Sequence, residues 1–207
     1  MKLGKLEKVE LRELWKGEAT DFTPWLSEAE NIELLSDCIG IELEVICQEK
    51  NVGPFRADIL CKDTLTSHYV LIENQLEKTD HSHLGQIITY AAGLDAVCIV
   101  WISKEFTEEH RAAIDWLNKI SDDGIDFFGV VIQAFKIGDS KPAPMFDIVA
   151  KPNDWSKSIR TGLESKELTD TDNLKIEYWT GLKNFLENSG SMLKTQKPSH
   201  NHWYSFA

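Results

Sequence analysis

PFRADILCKDTLTSHYVLIENQ, residues 54–75, decides the fold. Two strand-like runs, PFRADILC (54–61) and HYVLIENQ (68–75), flank the connection KDTLTS, and together they predict a β-hairpin. Residues two apart on a strand share a face. Arg56, Asp58, Leu60 and Lys62 therefore point one way, and Tyr69, Leu71, Glu73 and Gln75 share a face of the next strand. Asp58 and Glu73 lie inside strongly apolar segments, where an unpaired carboxylate is expensive to bury. Two carboxylates on neighbouring strands can hold one divalent cation, and hard oxygen donors suit Mg²⁺ or Mn²⁺. The plainer alternative pairs Asp58 with Arg56 or Lys62.

Outward from the hairpin, strands and helices alternate. Before it, a helix begins after Thr23, which can cap it, with Pro24 in the first turn and Gly40 as the stop. IELEVIC (41–47) reads as a strand, and the Glu-rich stretch 28–49 as mostly a solvated face. After the hairpin, SHLGQIITYAAGL (82–94) is helical, with Asp80 or Ser82 as its cap. AVCIVWI (96–102) is a continuous apolar run, as expected of a strand buried on both faces. A helix at 107–119 and strands at 126–137 and 145–152 complete the order α-β-β-β-α-β-α-β-β. That order predicts an α/β fold, a central mixed β-sheet flanked by helices. The aromatic set Trp101, Trp116, Phe127, Phe128 and Phe135 is expected in the core.

The 207 residues allow one ordinary domain and a smaller piece. Residues 1–152 form the α/β domain, 153–173 read as a polar linker, and 174–207 read as the start of a second, cut-off domain. There is no run of about 18 apolar residues, so no membrane span is expected. The N-terminus lacks the apolar core of a signal peptide. Cys38, Cys47, Cys61 and Cys98 form no CxxC pair and sit in apolar stretches, which fits free thiols in a reducing cytoplasm. The net charge of −12 argues against coating nucleic acid by bulk electrostatics. It does not argue against a nuclease, whose metal-binding carboxylates are themselves negative.

The helix after the hairpin adds Gln86 and Tyr90, four apart and on one face. Ordinary packing groups would show the same spacing. Gly53, Asp58, Glu73-Asn74-Gln75 and Gln86 to Tyr90, in this order, resemble the PD-(D/E)XK nuclease superfamily, in its RecB-like branch. That branch includes the mismatch-specific endonucleases of archaea and actinobacteria, and the resemblance covers roughly residues 18–102. TPWL, VGPFRADIL, IENQL, TDHSHLGQ and ITYAAGLDA also resemble a bacterial family without an assigned activity. Its members carry this nuclease-like domain followed by a domain of unknown function.

The resemblance implies a metal-dependent deoxyribonuclease acting in repair or defence, with DNA as partner and a homodimer as an assembly. Asp58 and Glu73 would hold Mg²⁺ or Mn²⁺, with Glu18 as a further metal ligand and Glu28 ranked behind it. Gln75 stands where the family has a lysine that stabilises charge on the attacking water or the phosphate. Glutamine can donate a hydrogen bond but brings no positive charge. It would orient the water, while Lys78, just past the strand, is placed to fold back. Gln86 would steady the site, Arg56 would touch a phosphate, and Tyr90 would contact the nucleic-acid backbone or pack beneath the site. The alternative is a nuclease-like fold without catalysis that binds nucleic acid or protein. Asp80, His81 and His83 invite a zinc reading, but a helix start does not bring 81 and 83 to one face. Capping and solvation are the expectation there.

Overall fold

The computed structural model describes residues 3–52, 55–94, 98–121, 125–152 and 170–189. Contacts divide the chain into two units, Met1–Trp155 and Ser156–Ala207.

The first unit is built on a mixed seven-stranded sheet flanked by helices. Its elements are β1 (Leu6–Val9), α1 (Leu11–Leu14), a π turn (Glu18–Phe22), α2 (Thr23–Leu26) and α3 (Ala29–Ile39). There follow β2 (Leu43–Val52), β3 (Phe55–Asp63), β4 (Tyr69–Lys78), α4 (His81–Leu94), β5 (Cys98–Glu105), α5 (Glu108–Ile120), β6 (Asp126–Ile137) and β7 (Ala143–Ala150). The sheet order is β1-β6-β5-β4-β3-β2, with β7 also paired to β6. β2, β3 and β4 form an antiparallel meander, whereas β4-β5 and β5-β6 are parallel. Each parallel step needs a crossover helix, which α4 and α5 supply. β6 is long enough to pair β5 over Asp126–Val131, β7 over Gly129–Phe135 and β1 over Ala134–Ile137.

Alternation along the strands divides the core into two layers. Ile59, Ile72, Val100 and Val130 pack with Phe22, Leu26, Leu35 and Ile39 of the N-terminal helices. Leu60, Leu71, Ile99 and Trp101 pack with Ile87 and Tyr90 of α4 and Ile114 of α5. Each such aliphatic side chain, fully buried, contributes about 1.5–3 kcal/mol of transfer free energy. The candidate carboxylates belong to the second layer, on the side of α4.

Several expectations change in detail. The lead-in before residue 17 carries a strand and a short helix, because β6 outruns β5 and leaves an edge that β1 closes. The first helix is broken between Leu26 and Ala29, and Pro24 does stand in the first turn of α2. Thr23 is no cap: its hydroxyl is buried against Asn74, at 3.1 Å from the amide nitrogen. Gly40 does end α3, in the left-handed conformation at φ 69. Asp80 caps α4 by accepting the His83 N–H at 3.0 Å. Trp116 lies exposed on the outer face of α5, while Trp101, Phe127 and Phe128 are buried. All four cysteines are free, and burial pushes the Cys61 thiol up to about 12. No helix among the described residues is long and apolar enough to cross a membrane.

In the second unit the described residues form one helix, α6 (Asp170–Asn188). Residues 153–169 of the expected linker, and everything after 189, lie outside the described residues.

Candidate active site

The ladder between β3 and β4 runs from Lys62–Tyr69 to Ile59–Ile72. One step further, Asp58 stands opposite Glu73, and there side chains take over the backbone groups. The Asn74 N–H donates to Asp58 Oδ2 at 2.8 Å. The backbone N–H of Asp58 in turn favours the charged form of Glu73. The bond from the Asn74 N–H replaces a ladder bond with one to a carboxylate and fixes Asp58 in place.

A third carboxylate joins them from β2. Its register with β3 passes from Gln48–Ile59 to Lys50–Ala57, which sets Glu49 across from Asp58. Glu49 has φ 54, a left-handed conformation uncommon for a side chain of its kind. Its Oε2 is 2.7 Å from Arg56 Nε. Glu49, Asp58 and Glu73 therefore form a row on three adjacent strands. Beyond them the row continues with Trp101, the β5 partner of Glu73.

Crowding and burial set the electrostatics. Glu73 is 4% exposed. Burial pushes its carboxyl up to about 9, the Asp58 charge adds to the shift, and the Asp58 N–H opposes it. Asp58 is pushed up to about 6, again chiefly by burial. The Asn74 N–H and His83 hold it down, while Glu49 and Glu18 push it up. The Asp58 charge disfavours ionisation of Glu73 beside it, so the two acids do not ionise independently.

Among the described residues, three buried side-chain oxygens are left without hydrogen-bond partners: Glu73 Oε2, Glu49 Oε1 and Gln86 Oε1. An unsatisfied buried polar atom costs about 1–3 kcal/mol. Three oxygen acceptors lacking donors, two of them carboxylate, fit a hard divalent cation and its bound waters. Among the described residues, no three His, Cys, Asp or Glu side chains are arranged to hold one ion. Mg²⁺ does not require that, since it is commonly bound by one or two carboxylates with water and substrate phosphate completing the shell.

The other expected residues divide into those near the row and those committed elsewhere. Tyr90 is fully buried beneath it and donates its hydroxyl to the Arg56 carbonyl at 3.1 Å. Burial, then the charges of Glu73 and Asp58, push the phenol up to about 12. Of the two residues expected to touch nucleic acid, Arg56 is exposed and Tyr90 is not, so Tyr90 has no surface with which to meet a phosphate. Gln86 lies on the same face of α4 as Tyr90. Glu18 accepts the Leu76 N–H at 2.8 Å and an Arg12 guanidinium N–H at 2.9 Å, and its charge still reaches Asp58. Glu28 is exposed and bonded to Asn31. Lys78 does not fold back; it pairs with Glu105 at 2.9 Å. Gly53 lies outside the described residues.

Gln75 is buried, and its amide is committed on both ends. Its Oε1 accepts the Trp101 indole N–H at 2.9 Å. Its Nε2 donates to the Lys78 carbonyl at 2.8 Å and to Asp80 Oδ2 at 3.3 Å. This glutamine braces the end of β4 against β5 and the head of α4. Trp101→Phe is accordingly expected to leave Gln75 Oε1 unpaired and to cost about 1–3 kcal/mol, read as a lower urea midpoint.

A second buried network escaped sequence reasoning. His110 of α5 bonds Thr79 Oγ1 through Nδ1 at 2.8 Å and His81 Nδ1 through Nε2 at 2.9 Å. It ties α4 to α5, and only their packing brings these residues together. No sequence signal announces it.

No family model matches the chain. No curated protein matches it either. Among solved structures, the chain is similar to a repair endonuclease from Pyrococcus abyssi, with 19% identity over 51% of this chain and 43% of that one, at a TM-score of 0.40. It is also similar to EndoMS in a complex with double-stranded DNA, with 19% identity over 52% and 42%, at 0.39. A third similarity is to the type IIG restriction endonuclease BpuSI, with 13% identity over 87% and 23%, at 0.26. The chain spans less than half the length of each of these proteins.

Proposed function

We propose that the first unit is a metal-dependent nuclease that hydrolyses phosphodiester bonds of DNA, in repair or defence. The observation that carries this is the pair of buried Glu73 and half-buried Asp58, set opposite each other with Glu73 Oε2 unpartnered. Two acids whose pKa values are driven up by burial and by neighbouring carboxylates are unfavourable without a cation and favourable with one. Asp58 and Glu73 would hold Mg²⁺ or Mn²⁺, and Glu49 adds negative charge beside them. The ion would supply an acidified water and neutralise charge on the phosphate. Glu18 keeps the Leu76 N–H satisfied next to the site, and Tyr90 supports the β3 backbone from below. Arg56 is an exposed cation paired with Glu49 of the row and can meet a phosphate once it exchanges Glu49 for it.

A second reading has specific support. Gln75 is committed to structural bonds and Lys78 to Glu105, so neither serves the site in the way the family's lysine would. That favours a nuclease-like fold that binds nucleic acid or protein without cutting. Incubation of supercoiled plasmid and of single-stranded DNA and RNA with Mg²⁺ or Mn²⁺ separates the two. Metal-dependent nicking is expected. Its absence, together with no metal-induced rise in Tm, would establish the non-catalytic reading.

A further inference from the structure

The bonds of Gln75 lead from the sheet to a histidine. Asp80, which receives the Gln75 amide at 3.3 Å, holds His83 twice. Its Oδ1 accepts the His83 backbone N–H at 3.0 Å, and its Oδ2 lies 2.8 Å from the ring Nδ1. Trp101, Gln75, Asp80 and His83 thus form one unbroken chain from the buried sheet to a half-buried imidazole. The neighbouring histidine does not compete for Asp80, because His81 turns to His110.

Two further facts place this imidazole at the carboxylate row. His83, Gln86 and Tyr90 are spaced three and four residues apart, so they share the face of α4 that covers the sheet. His83 is also close enough to Asp58 for its charge to be felt there. A carboxylate at Nδ1 fixes the tautomer: Nδ1 carries the proton and Nε2 keeps its lone pair. Among the described residues, none hydrogen-bonds His83 Nε2.

We propose that His83 is the general base of this site, oriented by Asp80, with Gln75 positioning Asp80 in turn. The position where the family has lysine is then an anchor, and the proton-handling group has moved to the head of the next helix. This rests on the nuclease reading above. In the reaction, the oxygen of a water forms a bond to the phosphorus of the diester while its proton passes to His83 Nε2. The phosphorus–ester oxygen bond breaks, its electron pair stays on the leaving oxygen, and that oxygen takes a proton from solvent. Asp80 balances the imidazolium until the proton returns to bulk water. Among the described residues, the charged groups that bear on the ring are Asp80 at the helix head, which bonds it, and Asp58 on β3, which feels its charge, with Glu73 and Glu49 beside Asp58.

The test is steady-state cleavage of a labelled DNA duplex with Mg²⁺ or Mn²⁺ by the full chain and its variants. His83→Ala is expected to lower kcat by about 100-fold or more with KM little changed, the range of a lost general base. Added imidazole is expected to restore part of the loss, which a merely structural histidine would not allow. Asp80→Asn should lower kcat without imidazole rescue, since the ring is present but held in the wrong tautomer. Should His83→Ala fail to fold, His83→Gln serves as the second variant, with Tm as the check. Either a folded variant that cleaves at close to the wild-type rate, or a loss that imidazole does not relieve, would overturn the role of His83 and leave the nuclease reading intact. A wild-type chain that cleaves nothing with either metal would overturn both.

Discussion

Glu73→Gln is expected to abolish metal-dependent cleavage and, in the same protein, to raise the stability of the metal-free fold. The two effects have one cause. Glu73 is buried opposite Asp58, and only the Asp58 N–H favours its charged form. Without a cation the side chain takes up a proton instead, which the unfolded chain would not do at neutral pH. Glutamine has the same shape and no charge to desolvate, so it removes that cost. A gain of more than about 1 kcal/mol, roughly 2–4 °C in Tm for a chain of this size, is expected in EDTA. Cleavage moves the opposite way. A carboxamide is a poor ligand for Mg²⁺, and loss of several kcal/mol of electrostatic stabilisation corresponds to a fall of about a thousandfold or more. The rise in Tm that metal produces in the wild type should vanish too. A Glu73→Gln protein that is less stable in EDTA and still responds to metal would show that Glu73 is a structural acid and no ligand.

How far such a site can be read in advance depends on which contacts are local. Asp58 and Glu73 were legible because a charged residue stands out in a short apolar strand, and because a hairpin register is nearly fixed by its connection. Gln86 and Tyr90 were legible as a helical pair. Glu49 was not, and the reason is a bulge. Val45 pairs with Cys61, yet Cys47 pairs with Leu60. One extra residue there moves everything after it to the opposite face of the sheet. Val45 accordingly packs in the layer under α3, and Cys47 in the layer under α4. Strict alternation would have turned Glu49 away from Asp58, among the glutamates that the sequence assigns to a solvated face. The bulge brings it beside the pair. Gln75 and His83 were hidden for a different reason. The partner of Gln75 is Trp101, which meets it only through the parallel pairing of β4 with β5 across a whole helical crossover. His83 gains its orientation from Asp80, a residue whose capping role was visible while its second bond was not.

The metal-free protein is expected to lose stability as pH rises from about 4.5 to about 9, against the usual trend for an acidic chain with ion-paired carboxylates. The sign follows from the proton count. Glu73 has an ordinary value of 4.5 and is pushed up to about 9 in the fold, and Asp58 moves from 3.8 to about 6. Between its unfolded and folded values each acid binds more protons folded than unfolded. The stabilisation is therefore complete below the unfolded value and is lost as pH rises through the folded one. Asp58 contributes the slope from about 4 to 6, and Glu73 carries it on toward 9. The salt bridges of the surface act in the other direction but weakly, because exposed pairs are worth about 0–1 kcal/mol. A divalent cation reverses the logic, since it binds the ionised pair and so makes the charged form the favoured one in the fold. Urea midpoints measured from pH 5 to 9 should fall in EDTA and run flat or rise in saturating Mg²⁺ or Mn²⁺. Metal uptake near pH 7.5 should release protons, read as a dependence of the binding enthalpy on the ionisation enthalpy of the buffer. Glu73→Gln should remove most of the slope above pH 6 and leave the part that belongs to Asp58. If the wild-type slope in EDTA is absent, the two acids are not held together in the folded chain as their shared burial requires. If it is present but unchanged by metal, the row of carboxylates is a proton-sharing cluster, and the cation must be sought elsewhere.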